Sequence, residues 1–381
     1  MIYFDFAATT PLDPDAAAVY LNAAANFYGN ANSLHDIGSE AAFLLENCRK
    51  ELANLLGVDS KGLFFTSGGS EGNFLAIEAL LSARLKEGNH IITSIAEHSS
   101  IHGEMKRLEQ SGYEITYLPM NREGVVDCRK LFDSIRPETV LVTIQHINSE
   151  IGTIQPIATI SEYCQKKRIL FHSDFVQSVG KMDVKHVASL VSSFSFSGHK
   201  FSGPKGIGGV YLNPSLPWRG FFPEITHEGG FRPGTVNVAA IAAMTAAAKK
   251  AASYLTETTN KYKLLRQVLI AELKPIEKWL TIYRGKESFQ LPCIIGMGVS
   301  GIEGQWLMLE CNRNGFAIST GSACHIGLQA PARTMQALEL PAAQAKEFIR
   351  ISFGSTTTIE EVRKLAKTIV NIVNQFKTSY S

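Results

Sequence analysis

The sequence predicts an α/β fold in which a mainly parallel sheet is followed by a smaller α+β unit. Short runs of β-branched and aromatic residues alternate with helix-like stretches from about residue 40 to about residue 250. Such alternation is typical of parallel strands joined by helices, whose ligands bind at the carboxyl ends of the strands. After about residue 250 a long polar helix leads into separate strands and a final amphipathic helix. A chain of 381 residues is also too long for one ordinary core.

Each element of the predicted sheet follows from a local pattern. Phe43 to Leu56 has apolar residues at helical spacing and ends at Gly57, which predicts a helix. Short β-rich runs predict strands at Leu63 to Thr66, His90 to Thr93, Val140 to Ile144, Ile169 to His172, Val191 to Phe196 and Gly209 to Leu212. Gly203 to Gly209 lacks the spacing of a nucleotide-binding loop and precedes a strand, so we expect a tight turn.

The last third of the chain predicts the smaller unit. Thr256 to Leu273 reads as a long polar helix that leads into the segments Leu291 to Val299 and Gln305 to Arg313 and then a glycine-rich turn, and Phe348 to Phe353 reads as an alternating strand. Thr358 and Glu361 form a capping box that should start the last helix.

Composition excludes several classes of protein. The chain is 45% hydrophobic and 19% charged with a net charge of +2, which gives no electrostatic reason to expect nucleic acid. The N-terminus has no signal-peptide pattern, and the apolar run Val238 to Ala248 is too short to span a membrane. Six cysteines without a Cys-x-x-Cys pair predict free thiols in a reducing compartment, so we expect a cytoplasmic protein.

Two strand ends carry the residue types of pyridoxal 5'-phosphate chemistry. The run Val191 to Phe196 leads into Ser197-Gly198-His199-Lys200, so a buried strand delivers a lysine to the edge of a pocket. A lysine held against apolar chain loses its proton easily and can attack a carbonyl group. Asp174 ends another strand and could pair with a pyridinium nitrogen, although a helix N-cap is the ordinary alternative.

Further candidates follow two other strands. Gly69 and Ser70 lie at a helix start, where free backbone N–H groups suit a phosphate; an ordinary glycine-containing cap is the alternative. His98 could stack on a ring or move a proton, although a lone histidine is more often a satisfied polar residue. His98 and His102 have the spacing of a metal pair, but no third ligand is evident, so we predict no metal site.

Two candidate reactive residues lie near the C-terminus. Cys324 is in the middle of the small-residue segment Thr320 to Gly327, which favours a mobile loop with a nucleophilic thiol; a small buried hydrophobe is the alternative. Arg350 lies among apolar residues of a predicted strand, where a guanidinium group requires an anion. A substrate carboxylate and a structural salt bridge would both meet that requirement.

Together these motifs resemble those of the NifS/IscS-type cysteine desulfurases, which are class V aminotransferases of the fold-type-I pyridoxal phosphate group. The likeness extends from Asp5 to Arg350, with the motifs in the family's order. They are Asp5-Phe6-Ala7-Ala8-Thr9-Thr10-Pro11, Phe65-Thr66-Ser67-Gly68, Glu97-His98, Ser197-Gly198-His199-Lys200, Arg232-Pro233-Gly234-Thr235 and Gly321-Ser322-Ala323-Cys324. The resemblance implies a seven-stranded, mainly parallel sheet in a large domain of residues 15–253. Residues 1–14 and 254–381 would form a small α+β domain.

The resemblance also implies residue roles in the conversion of L-cysteine to L-alanine. Lys200 would carry the cofactor on its amine and move protons together with His98, and Cys324 would take up the sulfur as a persulfide. The remaining contacts would be Gly69, Ser70, Ser197 and His199 to the cofactor phosphate, Thr235 from a second subunit to the same phosphate, His98 to the ring, Asp174 to its nitrogen, Gln177 to its phenolic oxygen, and Arg350 and Asn148 to the substrate. A homodimer with shared sites follows from the role of Thr235.

Two departures from the family pattern refine this reading. Asn148-Ser149-Glu150 stands where the family usually has two asparagines, so Ser149, with a shorter side chain, occupies a position that usually contacts the cofactor. The segment His227 to Arg232 is shorter than the usual glycine-rich stretch. The combination resembles a Bacillus-type NifS subgroup, which implies quinolinate synthase or an iron–sulfur scaffold as sulfur acceptor.

Two other activities remain open from the sequence. A selenocysteine lyase and a class V aminotransferase without sulfur transfer would both use the lysine and the acid. The motif ending in Cys324 favours the desulfurase, because an aminotransferase leaves that thiol unexplained.

Overall fold

The computed structural model describes residues 1–321 and 332–379. The strands are β1 (Ile2–Tyr3), β2 (Leu63–Thr66), β3 (His90–Ser94), β4 (Glu114–Leu118), β5 (Thr139–Thr143), β6 (Leu170–Asp174), β7 (Ser193–Ser197), β8 (Gly208–Leu212), β9 (Leu280–Tyr283), β10 (Ile294–Val299), β11 (Phe316–Ala317) and β12 (Phe348–Ser352). The α-helices are α1 (Pro14–Asn26), α2 (Asp36–Leu56), α3 (Gly69–Ser82), α4 (Ser99–Gln110), α5 (Cys128–Asp133), α6 (Ile157–Lys166), α7 (Lys185–Ala188), α8 (Val238–Ser253), α9 (Leu255–Glu272), α10 (Gly304–Arg313), α11 (Arg333–Ala337), α12 (Ala342–Lys346) and α13 (Ile359–Ser379).

A seven-stranded sheet forms the centre of the fold, in the order β2-β8-β7-β6-β5-β3-β4. Strand β8 is antiparallel to both of its neighbours, and the other neighbouring pairs are parallel. The predicted mainly parallel sheet is therefore confirmed. The carboxyl ends of β3, β5, β6 and β7 consequently lie at one edge, which is where ligands of such sheets bind.

Helices cover both faces of this sheet. Ile91 and Ile92 are neighbours in β3 but pack into different clusters, Ile91 with Leu80 of α3 and Ile92 with Leu52 of α2. Successive side chains of a strand point to opposite faces, so an interior strand is buried on both sides. Strand β3 meets this with apolar neighbours, whereas β7 buries small serines between its phenylalanines.

The edge strand β4 was missing from the sequence-based prediction. Its residues Glu114 to Tyr117 are exposed or half-buried, and only Leu118 is buried. An edge strand with one partner has no need for a continuous apolar run, so its sequence lacked the signal. Helix α2 also begins at Asp36 rather than Phe43, because the His35 ring accepts a hydrogen bond from Gly38 N at 3.1 Å and caps it.

A three-stranded antiparallel sheet, β12-β10-β9, forms a second core with α9, α10 and α13. The predicted capping box is present: Thr358 N donates to Glu361 Oε2 at 2.8 Å, and Glu361 N donates to Thr358 Oγ1 at 3.2 Å. The N-terminus joins this core through Phe4, which is fully buried there. The domain boundaries at residues 14 and 253 stay a prediction.

Residues 5–10 connect the two cores. Asp5 bridges to Ser352 of β12, and Thr10 N donates to the carbonyl of His199, just after β7, at 2.9 Å. This segment therefore lies between the end of β12 and the end of β7. It brings the N-terminal residues to the same sheet edge as Lys200.

Within the described ranges, no helix combines the length and the apolar character that crossing a bilayer requires. The described cysteines, Cys48, Cys128, Cys164, Cys293 and Cys311, are all free thiols.

A buried ion pair ties residues 227–230 to the edge strand β2. Glu228 accepts two hydrogen bonds from Arg49, each 2.9 Å long, and a third from Phe65 N at 2.7 Å. The side chains of Glu228 and Arg49 are only 2% and 12% exposed. Removing one partner of a buried pair leaves the other charge uncompensated.

We therefore expect Glu228→Ala to destabilise the protein by about 3 kcal/mol, measured by urea denaturation. The matched control is Glu162→Ala, which removes a pair that is 68% exposed on both sides and should change stability by less than about 0.5 kcal/mol. Equal effects of the two substitutions would contradict a stabilising role for the Glu228 pair.

Candidate active site

A cavity of about 610 Å³ opens at the carboxyl edge of the large sheet, between the start of α3 and the end of β12. Most of the predicted site residues line it: Gly69, Ser70, His98, Ser149, Asp174, Gln177, Ser197, His199, Lys200 and Arg350. These residues come from distant parts of the sequence. The fold brings them together because parallel strands end at one edge of the sheet.

Thr235 and Asn148 lie outside this lining. Thr235 is exposed. Asn148 is fully buried; its oxygen accepts from the N–H groups of Glu150 and Ile151 at 2.9 Å each, and its Nδ2 donates to Thr334 at 2.8 Å. Asn148 thus shapes the turn that carries Ser149, which differs from the predicted contact with substrate.

The remaining predicted residue, Cys324, lies outside the described residues.

Lys200 follows β7 in a short helical turn and faces the N-terminal segment. Its Nζ donates to the carbonyl oxygens of Ala7 at 2.7 Å and Ala8 at 2.8 Å. Burial, and then the nearby cations Lys181 and Arg350, lower the pKa of the Lys200 amine to about 7. The amine is therefore substantially neutral at physiological pH, the state in which it can attack a carbonyl group.

Asp174, at the end of β6, is held in place by two hydrogen bonds. Oδ1 accepts from Val176 N at 2.8 Å, and Oδ2 accepts from Asn73 Nδ2 at 2.9 Å. The carboxylate is 8% exposed and lines the cavity. It is thus a fixed anion at a position where a cationic ring nitrogen could be paired.

Asn73 was missed by the sequence reasoning. Its oxygen accepts from Ser195 and from His172 Nε2, the latter at 3.1 Å, so it is oriented before it meets Asp174. Burial lowers the pKa of His172 to about 3, which keeps that ring neutral. One signal in the sequence could have identified Asn73. It is a polar residue four positions before Ile77, so it lies on the same, buried side of α3.

The sequence left two anionic partners open for Arg350, a structural salt bridge and a substrate carboxylate. The salt bridge is present. Nη2 donates to Asp5 Oδ1 at 2.6 Å, and Nη1 donates to the carbonyl of Ser149 at 3.0 Å. The Arg350 side chain is 5% exposed, and its Nε has no hydrogen-bond partner among the described residues. Arg350 therefore forms a structural ion pair and still lines the cavity with donor capacity to spare.

His98 caps helix α4. Its Nδ1 accepts from Ser100 N at 3.2 Å, so a neutral ring carries its proton on Nε2. His102 instead contacts the carbonyl of Ile95 at 2.9 Å, so the two rings do not share a partner. Among residues 1–321 and 332–379, no group of three or more His, Cys, Asp or Glu side chains is placed to hold a metal.

Glu97, beside His98, is a buried carboxyl group in the cavity wall. Its Oε1 accepts from Gln145 N at 2.9 Å. Burial raises the pKa of Glu97 well above its usual value, with a further contribution from Asp174. Burial thus disfavours a negative charge on Glu97 in the cavity wall.

The start of α3 fits an anion. Its capping residue, Gly68, makes no side-chain cap, and its φ of 154° with ψ of −176° belongs to a region that is open to glycine alone. A Cβ atom on Gly69 would lie 2.5 Å from Val176 Cγ2, so only glycine fits there. Uncapped N–H groups at a helix start bind phosphate.

Ser197 and His199 complete this side of the cavity. His199 Nδ1 contacts Thr9 Oγ1 at 3.1 Å, and burial together with the Lys200 charge lowers the pKa of His199 to about 4. A neutral imidazole offers a phosphate one hydrogen bond rather than a charge.

The donor set fits pyridoxal 5'-phosphate. The helix start suits its phosphate, the amine of Lys200 suits its aldehyde, and the fixed carboxylate of Asp174 suits its ring nitrogen. All three line one cavity of a size usual for small-molecule sites.

Comparison with known proteins gives consistent results. The family model "Aminotransferase class-V" matches residues 2–365. The chain is 44% identical over 381 residues to the protein named "Putative cysteine desulfurase NifS" of Bacillus subtilis (strain 168), covering 100% of this chain and 96% of that one. It is 35% identical over 379 residues to "Cysteine desulfurase IscS" of Dictyoglomus turgidum, covering 99% and 95%. The solved structure of a "NIFS-LIKE PROTEIN" superimposes with a TM-score of 0.89 at 31% identity, covering 98% and 99%.

The lowered pKa of Lys200 predicts how fast the cofactor-free protein captures pyridoxal 5'-phosphate. Only the neutral amine attacks, so the rate should rise about tenfold per pH unit below pH 7 and level off above about pH 8. Stopped-flow absorbance between pH 5 and pH 9 measures it, with Lys200→Ala as control. A rate that keeps rising to pH 10 would mean that Lys200 has an ordinary pKa.

Proposed function

The chain belongs to the class V aminotransferase family, in its NifS/IscS group, and we propose that it is a cysteine desulfurase that uses pyridoxal 5'-phosphate. It would convert L-cysteine to L-alanine and transfer the sulfur to Cys324. The activity is supported by relatives that align with almost the whole of this chain over almost their own whole length.

One observation carries the proposal most directly. A lysine with a lowered pKa, a fixed carboxylate and a buried arginine line the same cavity. These are Lys200, Asp174 and Arg350, and they match the three needs of amino-acid chemistry on this cofactor: an amine for attachment, an anion for the ring nitrogen and a cation for the substrate carboxylate. The sulfur step rests on Cys324 and on the relatives.

The cofactor supplies, when bound, an electron sink that allows bonds to the substrate Cα to break. Residues of this chain would hold it. Asp174 would keep the ring nitrogen protonated, and His98 would stack on the ring. The phosphate would be held by the N–H groups at Gly69 and Ser70, by the side chains of Ser197 and His199, and by Thr235 of a second copy of the chain.

Arg350 would bind the carboxylate of L-cysteine. Its partner Asp5 is 19% exposed and holds Nη2, and the Ser149 carbonyl holds Nη1, so the guanidinium plane is fixed before substrate arrives. Nη1 and Nη2 each have a second N–H group, and these would donate to the substrate carboxylate. A fixed donor loses less conformational entropy on binding than a mobile one.

The sulfur transfer is balanced without an added oxidant or reductant. The Cβ–S bond of L-cysteine breaks, and an S–S bond forms between its sulfur and Cys324 Sγ. The substrate sulfur keeps its hydrogen, and the hydrogen from the Cys324 thiol ends on Cβ, which becomes the methyl group of L-alanine. Each of the two sulfur atoms is formally oxidised by one electron, and Cβ gains both electrons.

Lys200 and His98 would move the protons. The neutral amine of Lys200 can accept the proton from the substrate Cα, because the Lys200 pKa lies near 7. His98 is exposed at the cavity wall, and its Nδ1 is occupied by Ser100 N, so Nε2 is the ring nitrogen that would exchange a proton with the substrate.

A homodimer and a separate sulfur acceptor complete the proposal. Thr235 is exposed and outside the cavity of its own chain, which fits a contact with a second copy. The acceptor would be an iron–sulfur scaffold or quinolinate synthase, a proposal that rests on the sequence resemblance to a Bacillus-type NifS subgroup.

Cys324→Ser should abolish persulfide and alanine formation, by at least about 100-fold, because a hydroxyl group cannot take up the sulfur. The visible absorption of bound cofactor should be unchanged. The matched control is Cys128→Ser at a half-buried thiol, which should retain activity. Unaltered alanine formation in Cys324→Ser would exclude this residue as the sulfur acceptor.

Arg350→Ala should raise the KM for L-cysteine by about 30- to 1,000-fold, which corresponds to about 2–4 kcal/mol. Cysteamine, which lacks the carboxylate, should be an equally poor substrate for wild type and variant. If Arg350→Ala impairs both substrates to the same extent, Arg350 supports the structure and does not bind the carboxylate.

A further inference from the structure

The side-chain amide of Gln177 is held between two groups of opposite hydrogen-bonding character. Its Nε2 donates to the carbonyl of Ala7 at 2.9 Å, and its Oε1 accepts from Lys181 Nζ at 2.6 Å. Gln177 is 5% exposed and lines the cavity. The sequence reasoning assigned a cofactor contact to Gln177 and no role to Lys181.

These two partners fix which end of the amide points where. An ammonium group only donates hydrogen bonds, and a carbonyl group only accepts them. With Lys181 on one side and Ala7 on the other, the flipped amide would place donor against donor and acceptor against acceptor. The orientation therefore does not depend on how an amide is assigned from its shape alone.

This orientation determines what Gln177 can offer in the cavity. An amide nitrogen has two N–H groups, and the carbonyl of Ala7 uses one. The second N–H can donate to an acceptor in the cavity, such as the phenolic oxygen of the cofactor. In the flipped orientation the amide oxygen of Gln177 would face the phenolic oxygen of the cofactor, and the two oxygens would repel each other.

We propose that Lys181 is a positioning residue, which fixes the amide of Gln177 so that an N–H group faces the cofactor. This inference rests on the proposed function, because it requires pyridoxal 5'-phosphate in the cavity. Lys181 is anchored for this role: its backbone N–H donates to the Ser178 carbonyl at 3.0 Å, in the turn that follows β6.

Lys181 has a second effect that must be separated from the first. Together with burial, its charge lowers the pKa of Lys200, as does Arg350, whereas Asp174 and Asp5 act in the opposite direction. That effect acts through space and does not require Gln177. Removing the Gln177 amide therefore separates the positioning effect of Lys181 from its electrostatic effect on Lys200.

A double-mutant cycle tests the proposal. The dissociation constant of pyridoxal 5'-phosphate is measured by equilibrium dialysis for wild type, Lys181→Met, Gln177→Ala and the double variant. We expect Lys181→Met to weaken binding about five- to tenfold in wild type, the effect of one hydrogen bond, and by less than about twofold in the Gln177→Ala background.

The visible absorption of the bound cofactor gives a second readout, which a purely structural role would leave unchanged. The pH at which this band changes should shift more on Lys181→Met in wild type than in the Gln177→Ala background, because only the through-space effect on Lys200 persists without Gln177. Circular dichroism verifies folding, and Lys181→Gln replaces Lys181→Met if the latter does not fold.

Two results would overturn the proposal: no effect of Lys181→Met in wild type, or an equal effect with and without Gln177. A wild-type chain that binds no pyridoxal 5'-phosphate would instead contradict the proposed function, so the two failures are distinguishable.

Discussion

The amine of Lys200 is held by the carbonyl oxygens of Ala7 and Ala8, and the candidate site depends on this contact. These carbonyls belong to residues 5–10, which cross from the core around β10 and β12 to the end of β7. The same segment pairs Asp5 with Arg350. A single short segment thus places the amine and the guanidinium relative to each other, which is why the cavity requires both cores.

Charge explains why such a cavity attracts an anionic cofactor and an anionic substrate. Lys181, Lys200 and Arg350 face the carboxylates of Asp5 and Asp174, and their mutual repulsion contributes to the lowered pKa of Lys200. Buried cations without full compensation are costly, so phosphate and carboxylate ligands are favoured there. The lowered pKa of His199 and the raised pKa of Glu97 follow from the same burial.

The elements that the sequence predicted well are those with a local signal. Strands β6 and β7 contain aromatic residues and are followed by or end in polar residues, which is a local signal. Thr358 and Glu361 form the cap of the last helix within one turn, which is local as well. The pairing of Asp5 with Arg350 spans 345 positions and has no local signature. Asn73 and Lys181 were missed because their roles arise only when α3 and the turn after β6 meet the sheet edge. Asn148 was assigned by family pattern, and its hydrogen bonds to Glu150 and Ile151 show a side chain turned into its own loop.

Attachment of the cofactor to Lys200 is the central claim, and peptide mapping tests it most directly. The protein loaded with pyridoxal 5'-phosphate is reduced with borohydride, digested and analysed by mass spectrometry. The account predicts one stoichiometric pyridoxyl adduct, on the peptide that contains Lys200. An adduct on Lys181 or another lysine, or no adduct after loading, would contradict it.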